Sequence, residues 1–475
     1  MTGWSGTLSA VLARTDPVVL TGDTSWSGQE LARRAASAAD WLRDLGTPAG
    51  LAVPALLSAT PQALALVIGG AGTDRPIAPL NPRLTVRELT ACLAGWPGDL
   101  LVAEPARAAL ATAAAAATGR RLVLLPELPP AAEPLDPARA AGATALVLHT
   151  SGTTGVPKPV VVSDERLAAR ARHNAALLDL GPEGRYATAS PFHHIAGIGM
   201  LAVALGAGAA VALTPRYTPD EWVRWAALGV THALLVPTMI VDLLGAGRLA
   251  GPALRTLQYG AAPIRPQTLR EALAALPGVR LVQFYGQTEG SPLTCLTGAD
   301  HVRAAHGDEA LLATVGRPAD GVELRIAQPD GAGIGEVHAR AAHLFHLDAD
   351  GWLHTGDLGR LDPDGYLHLV GRRGDKIVRG GENIYPDEVE AVLAGHPSIT
   401  DAAVVGVPDD RLGETIKALL VVDGVRPSIE ELRAYARERL AGFKVPELWE
   451  FVADLPRGPS GKLLRRTLST VSTVD

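Results

Sequence analysis

The ten residues His149-Thr-Ser-Gly-Thr-Thr-Gly-Val-Pro-Lys158 follow directly on an apolar run and combine four hydroxyls, two glycines and one lysine. Glycine lets a backbone turn its amides towards an anion, hydroxyls add donors, and a lysine supplies a point charge. A polyphosphate tail needs that set. The pattern is not the Walker loop, because Lys158 lies between Pro157 and Pro159 with no Ser or Thr directly after it. Taken alone, a Ser/Thr/Gly stretch is more often a plain connection, so its company decides.

That company is a series of short motifs in fixed order: Tyr285-Gly-Gln-Thr-Glu289, Thr355-Gly-Asp357, Gly371-Arg372, Gly380-Gly-Glu-Asn-Ile-Tyr-Pro386 and Pro459-Ser-Gly-Lys462. In order and spacing they resemble the motif series of the adenylate-forming superfamily, which holds acyl- and aryl-CoA synthetases, peptide-synthetase adenylation domains and firefly-type luciferases. The resemblance runs from about Thr21 to Arg466, nearly the whole chain. It implies that a carboxylate attacks the α-phosphate of ATP to give acyl-AMP and pyrophosphate, after which a thiol displaces AMP. The first step gathers anions, so the catalyst must supply positive charge and in-line positioning.

The resemblance also implies roles. Thr150, Ser151, Gly152, Thr153, Thr154, Gly155 and Lys158 would grip the β- and γ-phosphates. Thr288 would hydrogen-bond the α-phosphate, and Glu289 would hold Mg²⁺, a hard cation suited to carboxylate oxygens. Tyr285 would stack on adenine, with Gly260, Ala261 and Ala262 against its other face. Asp357 would accept from both ribose hydroxyls, with Arg372 nearby. Lys462 would swing in with a C-terminal lid and bridge the carboxylate and α-phosphate oxygens, where negative charge develops. His194 is similar to the gating histidine beside the carboxylate; His193, Gly197, Val236 and Gly286 would line the acyl pocket. Gly380, Gly381, Glu382 and Lys444 would meet coenzyme A, and the hinge would be Gly374, where relatives usually carry Asp or Lys.

These residues need elements to position them. Residues 29–45 repeat apolar positions at three and four, as an amphipathic helix does, and residues 105–118 form an alanine-rich helix. Short apolar runs at 122–125, 145–149, 209–213, 233–236, 256–259 and 280–284 alternate with helical stretches, including a helix from about Asp164. Such alternation predicts an α/β fold: a large N-terminal domain of parallel-rich sheets with flanking helices. Beyond about residue 315 the pattern changes to period-two strands, with Asp364-Gly365 as a hairpin turn, so a small β-rich layer joins the large domain. Residues 371–383 are dense in glycine and charge, and the helices and strands after them predict a small mobile α+β C-terminal lid. The expected division is 1–371 and 372–475.

Bulk properties narrow the classes. At 475 residues, with 47% hydrophobic and 20% charged residues, the chain reads as a globular protein of at least two domains. A net charge of −7 without a basic run argues against nucleic acid. Two cysteines, Cys92 and Cys295, are too few and too distant for a disulfide framework or a four-ligand zinc site. The apolar stretch 51–72 is broken by Pro54, Pro61, Gln62 and glycines, so it reads as a buried strand, helix and turn and not as a membrane span, which needs about 20 uninterrupted apolar residues. The start Met-Thr-Gly-Trp-Ser-Gly carries no secretion signal, and the expected location is cytoplasmic.

The sequence reads as that of an acyl-CoA synthetase that uses ATP, Mg²⁺, coenzyme A and a small-molecule carboxylic acid, bulky and hydrophobic or alicyclic, with no membrane partner. Two alternatives stay open: loading of a carrier-protein phosphopantetheine, and a half-enzyme fed acyl-AMP by a partner adenylating enzyme. A homodimer also stays open. The half-enzyme reading comes from Pro159, which stands where most relatives have glycine. If that position needs positive φ the loop must rearrange; if its φ is ordinary, the proline is neutral.

Overall fold

The computed structural model describes residues 3–136, 144–150, 158–379, 382–409, 412–440, 442–457 and 463–468. The chain forms two compact units: one of Met1–Leu312, Ala319–Val322 and Arg340–Leu353, the other of Ala313–Pro318, Glu323–Ala339 and His354–Asp475.

The first unit is built on two sheets. One runs, in spatial order, Arg121–Leu124, Leu100–Ala103, Val53–Leu56, Ile77–Leu80, Thr144–Thr150 and Lys158–Ser163. Its strands are parallel except the last pair, an antiparallel hairpin that flanks the phosphate-loop sequence. The other sheet runs through Gly290–Leu296, Arg280–Gln287, Thr256–Gly260, His232–Leu235, Arg185–Thr188, Ala210–Ala212 and Pro17–Leu20. It too is parallel, apart from the hairpin Arg280–Gln287 with Gly290–Leu296 and an edge pairing at Ser25–Ser27. The parallel-rich α/β fold read from the alternating pattern is therefore present, and its interior strands, such as Val53–Leu56, Ile77–Leu80 and His232–Leu235, are buried runs as parallel strands should be.

Local chemistry sets the helix ends. Gly28–Asp44 starts where the Ser27 hydroxyl accepts from the Glu30 amide, and it buries Leu31, Ala32, Ala35, Ala38, Ala39 and Leu42, one stripe at helical spacing. Pro61–Ala71 starts at Thr60 with a proline in its first turn and is buried almost throughout. The two helices meet closely at Gly69, where a Cβ would lie 2.4 Å from the Ala35 carbonyl oxygen and 2.9 Å from the Ala38 Cβ.

The second unit holds a four-stranded layer, Glu323–Ala327, Gly335–Arg340, Leu353–Leu361 and Leu367–Arg372 in that order. The Asp364-Gly365 turn joins its last two strands, with Gly365 at φ +83°. The same unit holds a five-stranded sheet built around the long hairpin Ile399–Asp409 with Gly413–Val422. Helices Pro386–Ala394 and Ile429–Arg437 cover one face through Val389, Leu393, Leu432 and Ala436; Leu455 and Leu468 pack on the other through Ala403, Val405 and Leu419.

The Gly69 contact yields a test. Alanine would gain about 1 kcal/mol of helix propensity, but forcing a methyl into a backbone carbonyl costs about 1–3 kcal/mol. The overlap wins, so Gly69→Ala should lower the thermal midpoint. Gly245→Ala, at a site where a Cβ meets nothing within 4 Å, should not. Equal midpoints for the two variants would show that the helices separate without cost.

Candidate active site

The sequence-predicted residues of the first unit gather at the carboxyl ends of neighbouring parallel strands. Arg185–Thr188, His232–Leu235, Thr256–Gly260 and Arg280–Gln287 lie side by side, with Thr188 opposite Leu234, Leu235 opposite Tyr259, and Gly260 opposite Phe284. The first leads into His193 and His194, the second into Val236, the third into Ala261 and Ala262, and the fourth carries Tyr285 and Gly286. Strand carboxyl ends are where open α/β sheets bind ligands, because the connecting loops there are free of the hydrogen-bond ladder.

Thr288 and Glu289 form the two-residue tip between Arg280–Gln287 and Gly290–Leu296, with Gln287 opposite Gly290. A Cβ on Gly286 would lie 2.6 Å from the Gly290 carbonyl oxygen, so this hairpin closes only over a bare backbone. The tip is braced from 343–345: the Phe345 amide donates to the Glu289 carbonyl at 2.6 Å, and the His343 ring nitrogen Nε2 lies 3.0 Å from the Pro292 carbonyl. Glu289 therefore has its backbone fixed while its side chain stays half-buried. Ala261 holds φ +69°, a left-handed conformation unusual for a residue with a Cβ.

His193 is buried and His194 half-buried, their ring centroids 4.2 Å apart, and both precede the π-helix Ile195–Gly199. Burial, helped by His194, Arg83 and His149, holds the His193 imidazole down to about 2. Gly197 packs where a Cβ would lie 2.1 Å from the Pro191 carbonyl oxygen. Val236 caps Pro237–Gly245 without a side-chain hydrogen bond.

In the other sheet, Thr150 pairs with Lys158 and His149 with Pro159. Pro159 is thus extended, in a strand that ends the sheet among the described residues, a position where a missing N–H costs little. Ser151, Gly152, Thr153, Thr154, Gly155, Gly380, Gly381 and Lys462 lie outside the described residues, as do the side chains of Thr150, Lys158 and Glu382.

In the second unit, Asp357 stands opposite Arg372, and the guanidinium Nε lies 2.8 Å from its Oδ1. The Asp357 amide donates to the Thr355 hydroxyl, and Thr355 donates to the Val337 carbonyl, so the backbone at Asp357 is fixed beneath the carboxylate that Arg372 meets. Gly374 lies in the turn closed by the Asp375 amide on the Arg372 carbonyl, where a Cβ would meet nothing within 4 Å. Lys444 is tied to Glu388 at 2.7 and 2.8 Å, so any phosphate it binds competes with that carboxylate.

The AMP-binding enzyme model matches residues 9–346, and the model of the AMP-binding enzyme C-terminal domain matches 388–462. The chain belongs to the AMP-binding enzyme family. Within that adenylate-forming superfamily it falls in the acyl-CoA ligase branch, the class of AMP-forming acid–CoA ligases that work with ATP, Mg²⁺ and coenzyme A. It is 35% identical to a feruloyl-CoA synthase of Amycolatopsis over 94% of this chain and 93% of that protein. It is 33% identical to a fatty acid–acyl-carrier-protein ligase of Streptomyces coeruleorubidus over 96% of this chain and 93% of that one. Among solved structures, the o-succinylbenzoate CoA synthetase of Bacillus subtilis with its acyl-adenylate superposes with a TM-score of 0.88 at 26% identity, covering 99% of both chains. Among the described residues no helix is long and apolar enough to cross a membrane.

Sequence reasoning gave no role to His149, the first residue of the phosphate-loop motif. Its ring packs at a tilt against Trp96 at 5.1 Å between centroids, neither ring nitrogen has a hydrogen-bond partner among the described residues, and burial pulls its pKa down to about 4. The signal was present, since the motif begins at the end of a buried strand, but only packing identifies the partner ring.

A folded-state pKa below the unfolded value of about 6.5 means that the unfolded chain takes up the proton first as pH falls. The associated stability is present above about pH 6.5 and is lost towards about pH 4, and His343, also held at about 4 by burial, acts in the same direction. His149→Phe keeps a ring on Trp96 and removes the titration. Its melting midpoint should fall less than that of the wild type between about pH 7 and about pH 4.5. An unchanged difference would show that His149 is not desolvated in solution.

Proposed function

We propose that the chain activates a bulky, largely apolar carboxylic acid as acyl-AMP with ATP and Mg²⁺ and passes the acyl group to coenzyme A. The observation that carries this reading is the convergence of His193, Val236, Gly260, Tyr285 and, at the hairpin tip, Thr288 and Glu289 at the carboxyl ends of one parallel sheet. Thr288 donates to the α-phosphate, Tyr285 stacks on adenine against Ala261 and Ala262, and His194 gates the carboxylate. The Glu289 carboxylate, an anionic oxygen donor on a braced tip, fits a hard divalent cation. Mg²⁺, when bound, supplies positive charge against the triphosphate oxygens. Asp357 accepts from the ribose hydroxyls and Arg372 orients it.

The moving part begins at residue 372, with Gly374 as hinge, and brings in Lys462 for adenylation and the Gly380–Gly381–Glu382 segment with Lys444 for the thiol step. Nothing in the described conformation requires glycine at 374, which suits a position chosen for the freedom to change φ and ψ. Full adenylation is preferred over the half-enzyme reading because Pro159 sits in a strand at the end of its sheet among the described residues, where a missing N–H costs little.

The acid is read from Ala196, Ala261 and Ala262, which leave room where larger side chains would stand, and from the relatives that act on feruloyl and o-succinylbenzoyl groups. The Streptomyces relative supports a second acceptor, a carrier-protein phosphopantetheine.

Mass spectrometry of products from a panel of aryl, alicyclic, long-chain and short acids with ATP and coenzyme A tests the reading. Aryl or alicyclic acids should give thioester at rates well above acetate, and turnover of acetate alone would sink it. Competition between free coenzyme A and a carrier protein decides the acceptor. Lys462→Ala should slow pyrophosphate release by on the order of 100-fold while sparing thioester formation from synthetic acyl-AMP. Equal loss of both steps would remove the lysine from adenylation, and Pro159→Gly should leave both near wild type.

A further inference from the structure

On the four-stranded layer of the second unit, Glu336 and His338 lie two apart on the strand Gly335–Arg340 and therefore share a face. His354, on the adjacent strand Leu353–Leu361, stacks its ring on that of His338 with centroids 4.0 Å apart. One oxygen of Glu336 and one nitrogen of each histidine lie within 4.8 Å of one another. His338 is 94% buried by its residual exposure of 6%, yet its Nε2 has no hydrogen-bond partner among the described residues. It lies 3.6 Å from Glu336 Oε2, too far for a hydrogen bond and within reach of an ion placed between them.

We propose that Glu336, His338 and His354 form a binding site for one divalent transition-metal ion of the zinc type. Two imidazoles and one carboxylate are borderline donors that suit Zn²⁺ far better than Mg²⁺, which prefers oxygen ligands and keeps its waters. Tetrahedral bonds of about 2.0–2.1 Å bring ligand atoms to about 3.3 Å from one another, so the group must close slightly. His354 is exposed and its ring can turn inwards to do so. Three protein ligands leave a fourth position for water.

Two guanidinium groups already occupy the surroundings and define what the ion must displace. Arg373 Nη1 lies 3.0 Å from Glu336 Oε2, but its side chain is 71% exposed and free to swing away. Arg325 Nη2 lies 3.4 Å from His338 Nδ1, at the long end of a hydrogen bond. The second carboxylate oxygen, Oε1, accepts from the Gly356 amide at 3.1 Å, which holds Glu336 in place for either partner. Binding therefore exchanges an exposed Arg373 contact for bonds to three ligands. The alternation of side chains along Leu353–Leu361 puts His354 on the face opposite Thr355 and Asp357, so the site is separate from the carboxylate assigned to ribose.

The test is a Zn²⁺ titration of the chelator-treated, dialysed full chain in excess Mg²⁺, followed by calorimetry. One equivalent should bind with micromolar or tighter affinity. His354→Asn, His338→Asn and Glu336→Gln should each weaken binding about tenfold or more, while His306→Asn, an exposed histidine elsewhere, should not. Co²⁺ in place of Zn²⁺ should give the visible absorption of tetrahedral coordination, lost in the same variants. His354 is exposed, so its variant decides the matter even if the buried His338 variant does not fold. No binding at micromolar Zn²⁺, or equal binding by His354→Asn, would overturn the site.

Discussion

The candidate site depends on one constraint: strand ends and turns that approach one another with no side chain between them. The Phe284 carbonyl oxygen lies 2.4 Å from where a Cβ on Gly260 would sit, the Gly290 oxygen 2.6 Å from one on Gly286, and the Pro191 oxygen 2.1 Å from one on Gly197. Each distance is far below a normal contact, and each involves backbone, which cannot swing aside as a side chain can. Remove that constraint and the hairpin carrying Thr288 and Glu289, the strand end before Ala261 and the turn after His193 would all move outward. The parallel ladder brings four strands to one level; the glycines let the turns beyond them close.

The same contacts change what the small residues mean. In the sequence, Ala196, Gly197, Gly199, Gly260, Ala261 and Ala262 are small residues, a composition that by itself suits a bulky acid. Gly197, Gly260 and Gly286 are glycine because the backbone beside them leaves no space, so they carry no information about the substrate. Ala196, Ala261 and Ala262 are not explained in that way, and Ala261 even holds a conformation that glycine would adopt with less strain. The inference about acid size therefore rests on fewer residues, and on the relatives.

What was legible in the sequence divides along physical lines. Strand and helix positions could be read because burial periodicity is local: the predicted runs at 145–149, 256–259 and 280–284 each lie within an observed strand. Among the described residues, the motifs Tyr285–Glu289 and Gly371–Arg372 could be read because each occupies a strand end or a turn, where residue type is tied to backbone shape. The pairing of His149 with Trp96 and the bracing of Glu289 by Phe345 were not legible. They join residues separated by more than fifty positions through contacts that leave no periodic trace. Nor did the sequence show that Pro159 lies in a strand at the end of its sheet among the described residues, where a missing N–H costs little.

One strand of the second unit carries two kinds of chemistry on its two faces. Asp357 points to the face where Arg372 meets it, while His354 joins Glu336 and His338 on the other. The consecutive arginines divide accordingly, Arg372 to Asp357 and Arg373 to Glu336, and the turn bearing Gly374 follows at once. An ion held by Glu336 would take the carboxylate oxygen that Arg373 now uses, leaving Arg373 attached through its amide on the Gly356 carbonyl. Metal occupancy would then act on the residue beside the proposed hinge and leave the Asp357–Arg372 pair on the far face unbroken. The separation of faces would let the proposed ion bind without touching the Asp357–Arg372 pair.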